Sequence, residues 1–238
     1  MEKGKRIELL DAVRGFSVGL MVIHHFLYDL YHFCGAPKWL YINPVFNVLH
    51  YFFAGLFIFI SGISSDFSHS NLRRGAKAML AALGITLVTS LIDSTVVFGA
   101  LHLLAACMLL YGVSRPLWDR LPRPAVFAFS VLGILLTARM AVGITVETPH
   151  LWIFGLTTAD FASSDYFPLF PWSFVFLLGT WAGHDIREGR LPRWFYTARA
   201  PHFALIGRHA LIIYILHQPV LFALTMAGRW LFASLGGV

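Results

Sequence analysis

The stretch R-I-E-L-L-D-A-V-R-G-F-S-V-G-L-M-V-I-H-H-F-L-Y-D-L-Y-H-F, residues 6–33, decides what kind of chain this is. It is a long apolar run interrupted by Asp11, Arg14, His24, His25, Asp29 and His32, with Ser17, Tyr28 and Tyr31 beside them. At about 100° per residue, Asp11, Arg14, His25, Asp29 and His32 fall within about 60° of one another on a helix. Arg14 and His25 lie eleven positions apart, which is about three turns and roughly 16 Å along the axis. Ionisable groups are costly inside a membrane helix, so a stripe of them faces a bundle interior or a wet cavity and marks a functional path.

The rest of the chain agrees with a membrane setting. It has 238 residues, of which 58% are hydrophobic and only 13% charged, with a mean hydropathy of +0.70. A soluble domain would carry about 25% charged residues. The net charge of +6 does not point to nucleic acid, because the basic residues sit in short loops between apolar runs. No cleavable signal peptide is expected: the run after the basic Met1–Arg6 carries charges and no small-residue cleavage site. Cys34 and Cys107 match no metal motif, and neither a disulfide nor a metal site is expected.

The expected fold is all-α, a polytopic transmembrane helix bundle forming one domain over residues 1–238. Seven apolar runs have about the length a bilayer needs: 9–33, 45–66, 76–97, 99–117, 123–143, 167–185 and 204–233. The third and fourth are weakly separated near Asp93–Gly99, and the last would tilt or break at Pro219. One set of loops holds Lys3, Lys5 and Arg6, then Arg73, Arg74 and Lys77, then Arg115, Arg120 and Arg123, then Arg187, Arg190, Arg193 and Arg199, with Arg208 at the last helix start. The opposite set holds little beyond Lys38, with Arg139 and Arg229 near helix ends. By the positive-inside rule the N-terminus is cytoplasmic and the C-terminus external. The segment 144–170 has no Lys or Arg, is rich in aromatics, and reads as a lid or re-entrant piece on the outer side.

Several constellations carry possible chemistry. Asp11 and Arg14 can pair at i, i+3. Asp29 follows His25 at i+4, where a carboxylate fixes an imidazole's tautomer and raises its basicity. The plain alternative is a polar interhelical network that pins the bundle; five ionisable residues on one stripe favour function over it. His24, rotated from His25, is expected to meet a neighbouring helix. Ser61, Gly62 and Ser64 would allow close helix approach or expose backbone to a ligand. Arg73 and Arg74 would either hold phosphates or only set topology. His50 and His102 each read as satisfied interhelical donors. Asp165 and Tyr166 would bind a sugar or simply belong to an aromatic belt. Tyr214, His217 and Gln218 share a face at i, i+3, i+4 just before Pro219, which suggests a wet cavity.

Several of these segments together resemble one family. L-D-A-V-R-G-F-S-V-G-L-M-V-I-H-H at 10–25 resembles the first core helix of the heparan-α-glucosaminide N-acetyltransferase catalytic-domain family. The Arg14-x10-His25 spacing is also similar to that of the membrane acyltransferase-3 proteins. The resemblance continues through F-I-S-G-I-S at 59–64, L-H-L-L-A at 101–105, D-Y-F-P-L-F-P-W at 165–172 and I-G-R-H-A-L-I-I-Y-I-L-H-Q-P at 206–219. It implies an integral membrane acyltransferase that takes acetyl-CoA or another acyl-CoA from the cytoplasm and acylates an acceptor reaching the site from the other face. His25 would be the central catalytic residue and Arg14 would face the CoA. The family's lysosomal member carries asparagine at the position of His25 and a histidine further along, where His32 would match, so both are candidates.

The expected mechanism follows. His25, oriented by Asp29, would deprotonate an acceptor amine or hydroxyl or briefly carry the acyl group. Tyr214 or His217 would donate to the oxyanion. Arg14, Arg73, Arg74 and Arg208 would hold the CoA phosphates, and Asp165, Tyr166 and Gln218 would contact the acceptor. Expected partners are membrane lipids and a small-molecule acceptor, with a sugar as one candidate; a homo-oligomer is compatible with these features. The expected location is a bacterial inner (plasma) membrane. Two other classes stay open on residues alone. A proton-coupled small-molecule transporter would use the same stripe as a relay, though no paired repeats are visible. A membrane haem protein would draw ligands from His24, His25, His50, His102 and His217, though these stand at unequal depths.

Overall fold

In the computed structural model, residues 6–91 and 94–235 are described. Lys3, Lys5 and Asp93, which entered the topology above, lie outside them. Among the described residues the chain is all-α apart from one minimal sheet. The helices are α1 (Glu8–Cys34), α2 (Pro44–Asp66), α3 (Asn71–Ser90), α4 (Ala100–Trp118), α5 (Arg123–Thr137), α6 (Leu169–Arg187), α7 (Arg193–Thr197), α8 (Pro201–Arg208) and α9 (Ala210–Ser234).

Five helical stretches are long and apolar enough to cross a membrane: α1, α2 with the turn before it, α4, α5 with the turn after it, and α9. Many of their large apolar side chains are outward-facing, Val113, Leu135, Leu136 and Trp230 among them, as a helix in contact with lipid requires. Of the seven expected runs, the third and sixth correspond to α3 and α6, which are shorter or less apolar. The last run, expected to tilt or break at Pro219, does not break there. Pro219 lies within a continuous α9, and the chain turns at His209, where φ is −103° and ψ is 14°. A proline inside a membrane helix is tolerated when neighbours satisfy the freed carbonyl. The turn at His209 instead frees α8 to pack closely on α1.

The described chain divides into two compact units, one of Met1–Phe57 with Leu191–Val238, the other of Ile58–Arg190. In the first, α1 and α8 touch backbone to backbone. A Cβ on Gly15 would lie 1.9 Å from the Phe203 carbonyl oxygen, and one on Gly207 1.9 Å from that of Asp11. Small residues permit such crossings, and without them membrane helices lose their packing. Gly35, with φ of 66°, ends α1 in the left-handed conformation, its N–H returning to Leu30 O.

In the second unit the same device recurs. Gly62 and Gly179 face each other across α2 and α6, each within 2.1 Å, by its missing Cβ, of the other helix's backbone oxygen. The segment expected as a lid holds two two-residue strands, β1 (Ile144–Thr145) and β2 (Leu156–Thr157), paired in parallel. Its end is fastened by Ser164 N–H to Thr95 O at 3.0 Å and Phe167 N–H to Phe98 O at 2.8 Å.

Candidate functional site

The first unit carries its charge at one end of α1. Asp11 is buried, 3% exposed, and three arginines converge on it. Arg14 bonds it at 2.8 Å from one turn along the same helix. Arg6 bonds its other oxygen, and Arg208, at the end of α8, stands 3.8 Å away. The glycine crossing explains why Arg208 arrives there: Gly207 rests on the Asp11 backbone itself. The hydrogen bond to Asp11 raises the proton affinity of Arg6 above that of a free guanidinium. Three cations around one carboxylate leave an excess of positive charge, which suits a multiply charged anion.

Three turns along α1 lies a cluster of rings. His25 faces His217 of α9, with centroids 4.9 Å apart and planes at 71°. His217 Nδ1 is 2.7 Å from the Tyr214 carbonyl oxygen. A carbonyl only accepts, so Nδ1 carries the hydrogen and a neutral His217 keeps its lone pair on Nε2. The Tyr214 ring stands 5.8 Å from His217. Asp29 is fully buried and accepts from Gln218 Nε2 at 2.9 Å. The expected pairing is therefore corrected: Gln218 holds Asp29, and His217 is the ring that stands over His25. Asp29 Oδ2 and Gln218 Oε1 are buried acceptors with no protein donor among the described residues. His32 is exposed and packs on Tyr28 and Tyr31, at 4.2 and 4.9 Å. His24 turns away from this face and stacks on His50 of α2 at 4.6 Å.

The remaining candidates lie in the second unit. Asp165 is committed to the fold, accepting from the Ala100 N–H at 3.0 Å and so capping the start of α4. Tyr166 donates its hydroxyl to Trp152 O, and burial pushes its phenol up to about 12. It borders an open cavity of about 320 Å³ with Val142, Thr157, Phe161, Ala162 and Ser163. Arg73 and Arg74 are both exposed at the start of α3, and Arg74 reaches Ser64 O at 3.4 Å. His102 is a satisfied interhelical group. Thr86 gives its own hydrogen to Val96 O, so it accepts from His102 Nε2 at 3.1 Å.

One buried ionic centre was not anticipated from the residues. Asp66, 4% exposed at the end of α2, meets Arg187 at 3.4 Å and Arg115 at 4.0 Å, and accepts from Tyr111 at 3.3 Å. The available signal was an acid closing an otherwise uncharged apolar run, with arginines in two later loops of the same polarity. Among the described residues no group of three or more His, Cys, Asp or Glu is placed to hold a metal ion.

An imidazole with a buried acid–amide pair beside it, and an arginine cluster three turns away on the same helix, can take a proton at one place and hold an anion at the other. Comparison with known proteins names a family. No curated protein and no solved structure matches the chain significantly. The family model for the heparan-alpha-glucosaminide N-acetyltransferase catalytic region matches residues 6–219, which takes in the stripe of α1, the small-residue end of α2 and the Tyr214–Pro219 segment. The chain is thus an integral membrane protein that belongs to the heparan-alpha-glucosaminide N-acetyltransferase catalytic family, a family of membrane acetyltransferases.

Proposed function

We propose that the protein transfers an acetyl group from acetyl-CoA to a small amine or hydroxyl acceptor, with His25 as the general base. The observation that carries this is the His25–His217 contact beside the buried Asp29–Gln218 pair. The acceptor's nitrogen or oxygen attacks the thioester carbon, its proton passes to His25, and the C–S bond breaks to give the CoA thiol. A positioned base of this kind contributes about 10²–10⁴ in rate. The Tyr214 hydroxyl is the proposed oxyanion donor; His217, whose one N–H is held by the Tyr214 carbonyl, donates there only when protonated. His25 is preferred to His32 because it is half-buried beside a second imidazole, whereas His32 is exposed.

Arg14 and Arg208, with Arg6, are proposed to hold CoA phosphates at the Asp11 end; in the other unit Arg73 and Arg74 are proposed separately as phosphate contacts. Their place in positively charged loops supports a cytoplasmic donor side and a cytoplasmic N-terminus. Gln218, beside His25, is a proposed acceptor contact, and Asp165 and Tyr166 are proposed as such independently, within their own unit; the family's name makes an amino sugar the first acceptor to try. A bacterial plasma membrane and a homo-oligomer belong to the same proposal.

The test is acetyl transfer by detergent-purified protein given acetyl-CoA and glucosamine, followed as free thiol and N-acetyl product. Wild-type protein should turn over, and His25→Ala should lose about 10²–10⁴ of the rate while still binding acetyl-CoA. Turnover by His25→Ala at the wild-type rate would overturn the assignment of the base.

A further inference from the structure

Four imidazoles of the first unit stand in a continuous row, only part of which the acetyl transfer uses. From His217 to His25 is 4.9 Å, from His25 to His24 5.8 Å, and from His24 to His50 4.6 Å, centroid to centroid. His24 also packs on Tyr41 at 5.1 Å. Tyr41 leads to Tyr28 at 5.4 Å and Tyr28 to His32 at 4.2 Å, and His32 is exposed. The row therefore runs from the candidate base toward the end of α1 away from the arginines.

The polar groups that face it are few. From α1 come His25, Tyr28, Asp29 and His32; from the turn before α2, Tyr41; from α2, His50 and Tyr51; from α9, Tyr214, His217 and Gln218. Asp29 is engaged with Gln218, and no carboxylate among the described residues pairs with His24. The Nδ1 of His24 is buried and has no hydrogen-bond partner there. A group so placed can receive a proton and pass it on, because no opposite charge holds it. Centroids 4.6–5.8 Å apart leave ring nitrogens within the span of one bridging water.

Acetyl transfer to an amine needs such an exit. The acceptor arrives as R–NH₃⁺ and leaves as the amide R–NH–acetyl, so its nitrogen loses two protons. The C–N bond forms as the C–S bond breaks, and the departing thiolate takes one proton. The second is surplus and must leave the site before the next cycle. An alcohol produces no surplus, since its only proton ends on sulfur.

We propose that His24 and His50 carry this surplus proton from His25 to the membrane face opposite the arginine cluster. They act through His25 and touch neither substrate. The inference rests on the acetyl-transfer reading above and adds to it a route, a direction and a stoichiometry.

The experiment uses full-length protein in vesicles loaded with glucosamine and a pH dye, with acetyl-CoA added outside. Acetyl-CoA is charged and stays outside, so only molecules whose arginine end faces outward turn over. Wild-type protein should release one proton inside per acetyl group transferred. His24→Gln and His50→Gln should keep acetyl-CoA binding and the rate of the first turnover. Their steady-state rate should fall by about 10²-fold, the low end of what a positioned proton acceptor supplies, and added imidazole should restore it. Protons appearing on the acetyl-CoA side, or unchanged steady-state rates in both variants, would overturn the route. So would a loss that already affects the first turnover and is not rescued by imidazole, which marks simple packing. A wild-type protein that forms no N-acetyl product with any amine removes the acetyl-transfer reading and this inference together; product formation with any of the other outcomes removes the route alone.

Discussion

Gly15 and Gly19 sit one turn apart on α1, and the structure assigns opposite consequences to the same substitution at each. A Cβ at Gly15 would lie 1.9 Å from Phe203 O and 2.7 Å from Gly207 N, whereas one at Gly19 meets nothing within 4 Å. Ordinary contact begins near 3.4 Å, so Gly15→Ala must drive α8 back by about 1.5 Å. The obstacle is backbone on both sides, and no rotamer can relieve it. Overpacking of this kind costs about 1–3 kcal/mol, offset by about 1 kcal/mol of helix propensity. With backbone on both sides the upper part of that range applies, about 2–3 kcal/mol, so the net is about 1–2 kcal/mol, or roughly 2–8 °C in melting temperature for a chain of this size. Gly19→Ala keeps the propensity gain alone and should raise the melting point by about 2–4 °C. Tryptophan fluorescence during heating in detergent reads both. Gly15→Ala should also weaken acetyl-CoA binding, because the retreat of α8 carries Arg208 away from Asp11. A Gly15→Ala protein melting at or above wild type, or a Gly19→Ala protein falling as far, would refute the close crossing.

Three further expectations concern the second unit. Asp66→Asn leaves Arg115 and Arg187 without their carboxylate; breaking a fully buried pair costs about 3–5 kcal/mol, and the partial exposure of both arginines, 22% and 39%, reduces this to about 2 kcal/mol, visible as a lower melting temperature. Asp165→Ala removes the cap of α4 and should cost about 1 kcal/mol, while Asp165→Asn, which keeps an oxygen for the Ala100 N–H, should melt near wild type; equal damage from both would show that the charge itself is needed, as for a substrate contact. Tyr166 is held protonated by its burial. A folded-state pKa above that of the unfolded chain gives stability that is complete below the unfolded value and fades as pH rises through the folded one, so its share is lost between pH about 10 and about 12. Thermal melts across that range should fall more steeply for wild type than for Tyr166→Phe.

How much of this was legible in the residues depends on whether a contact is local. The Asp11–Arg14 pair follows from helical spacing alone and is present at 2.8 Å. The rotation of His24 off the stripe also follows from spacing, and its ring does meet α2. Gly62, read as a place of close approach, lies against the α6 backbone. The break at His209 was not legible, because Pro219 is the stronger local signal. What decides the matter is tertiary: Gly207 must lie on the Asp11 backbone, and the short α8 that carries it cannot follow the axis of α9. Periodicity describes one helix at a time, and this bend exists to satisfy two.

The site shows the same boundary more sharply. The stripe gave the face of α1 but not what stands opposite it, and the opposite partner sets the chemistry. Asp29 lies four residues from His25, yet it takes its hydrogen bond from Gln218, 189 positions away. That exchange alters what each group can do. A carboxylate on His25 would raise its basicity and hold its proton, whereas without one a proton taken up there can pass on toward His24, 5.8 Å away. His217 is itself fixed by the Tyr214 carbonyl, which leaves Nε2 as its lone-pair nitrogen. On the proposed mechanism, such a base can be cleared between cycles. A turnover limited by clearing predicts that raising the concentration of a small diffusible buffer speeds the steady state of wild type as well as that of the relay variants, though by less, and leaves the first turnover untouched. A wild-type rate indifferent to buffer, with variants equally indifferent, would place the limit at acetyl transfer itself and leave His24 and His50 no part in turnover.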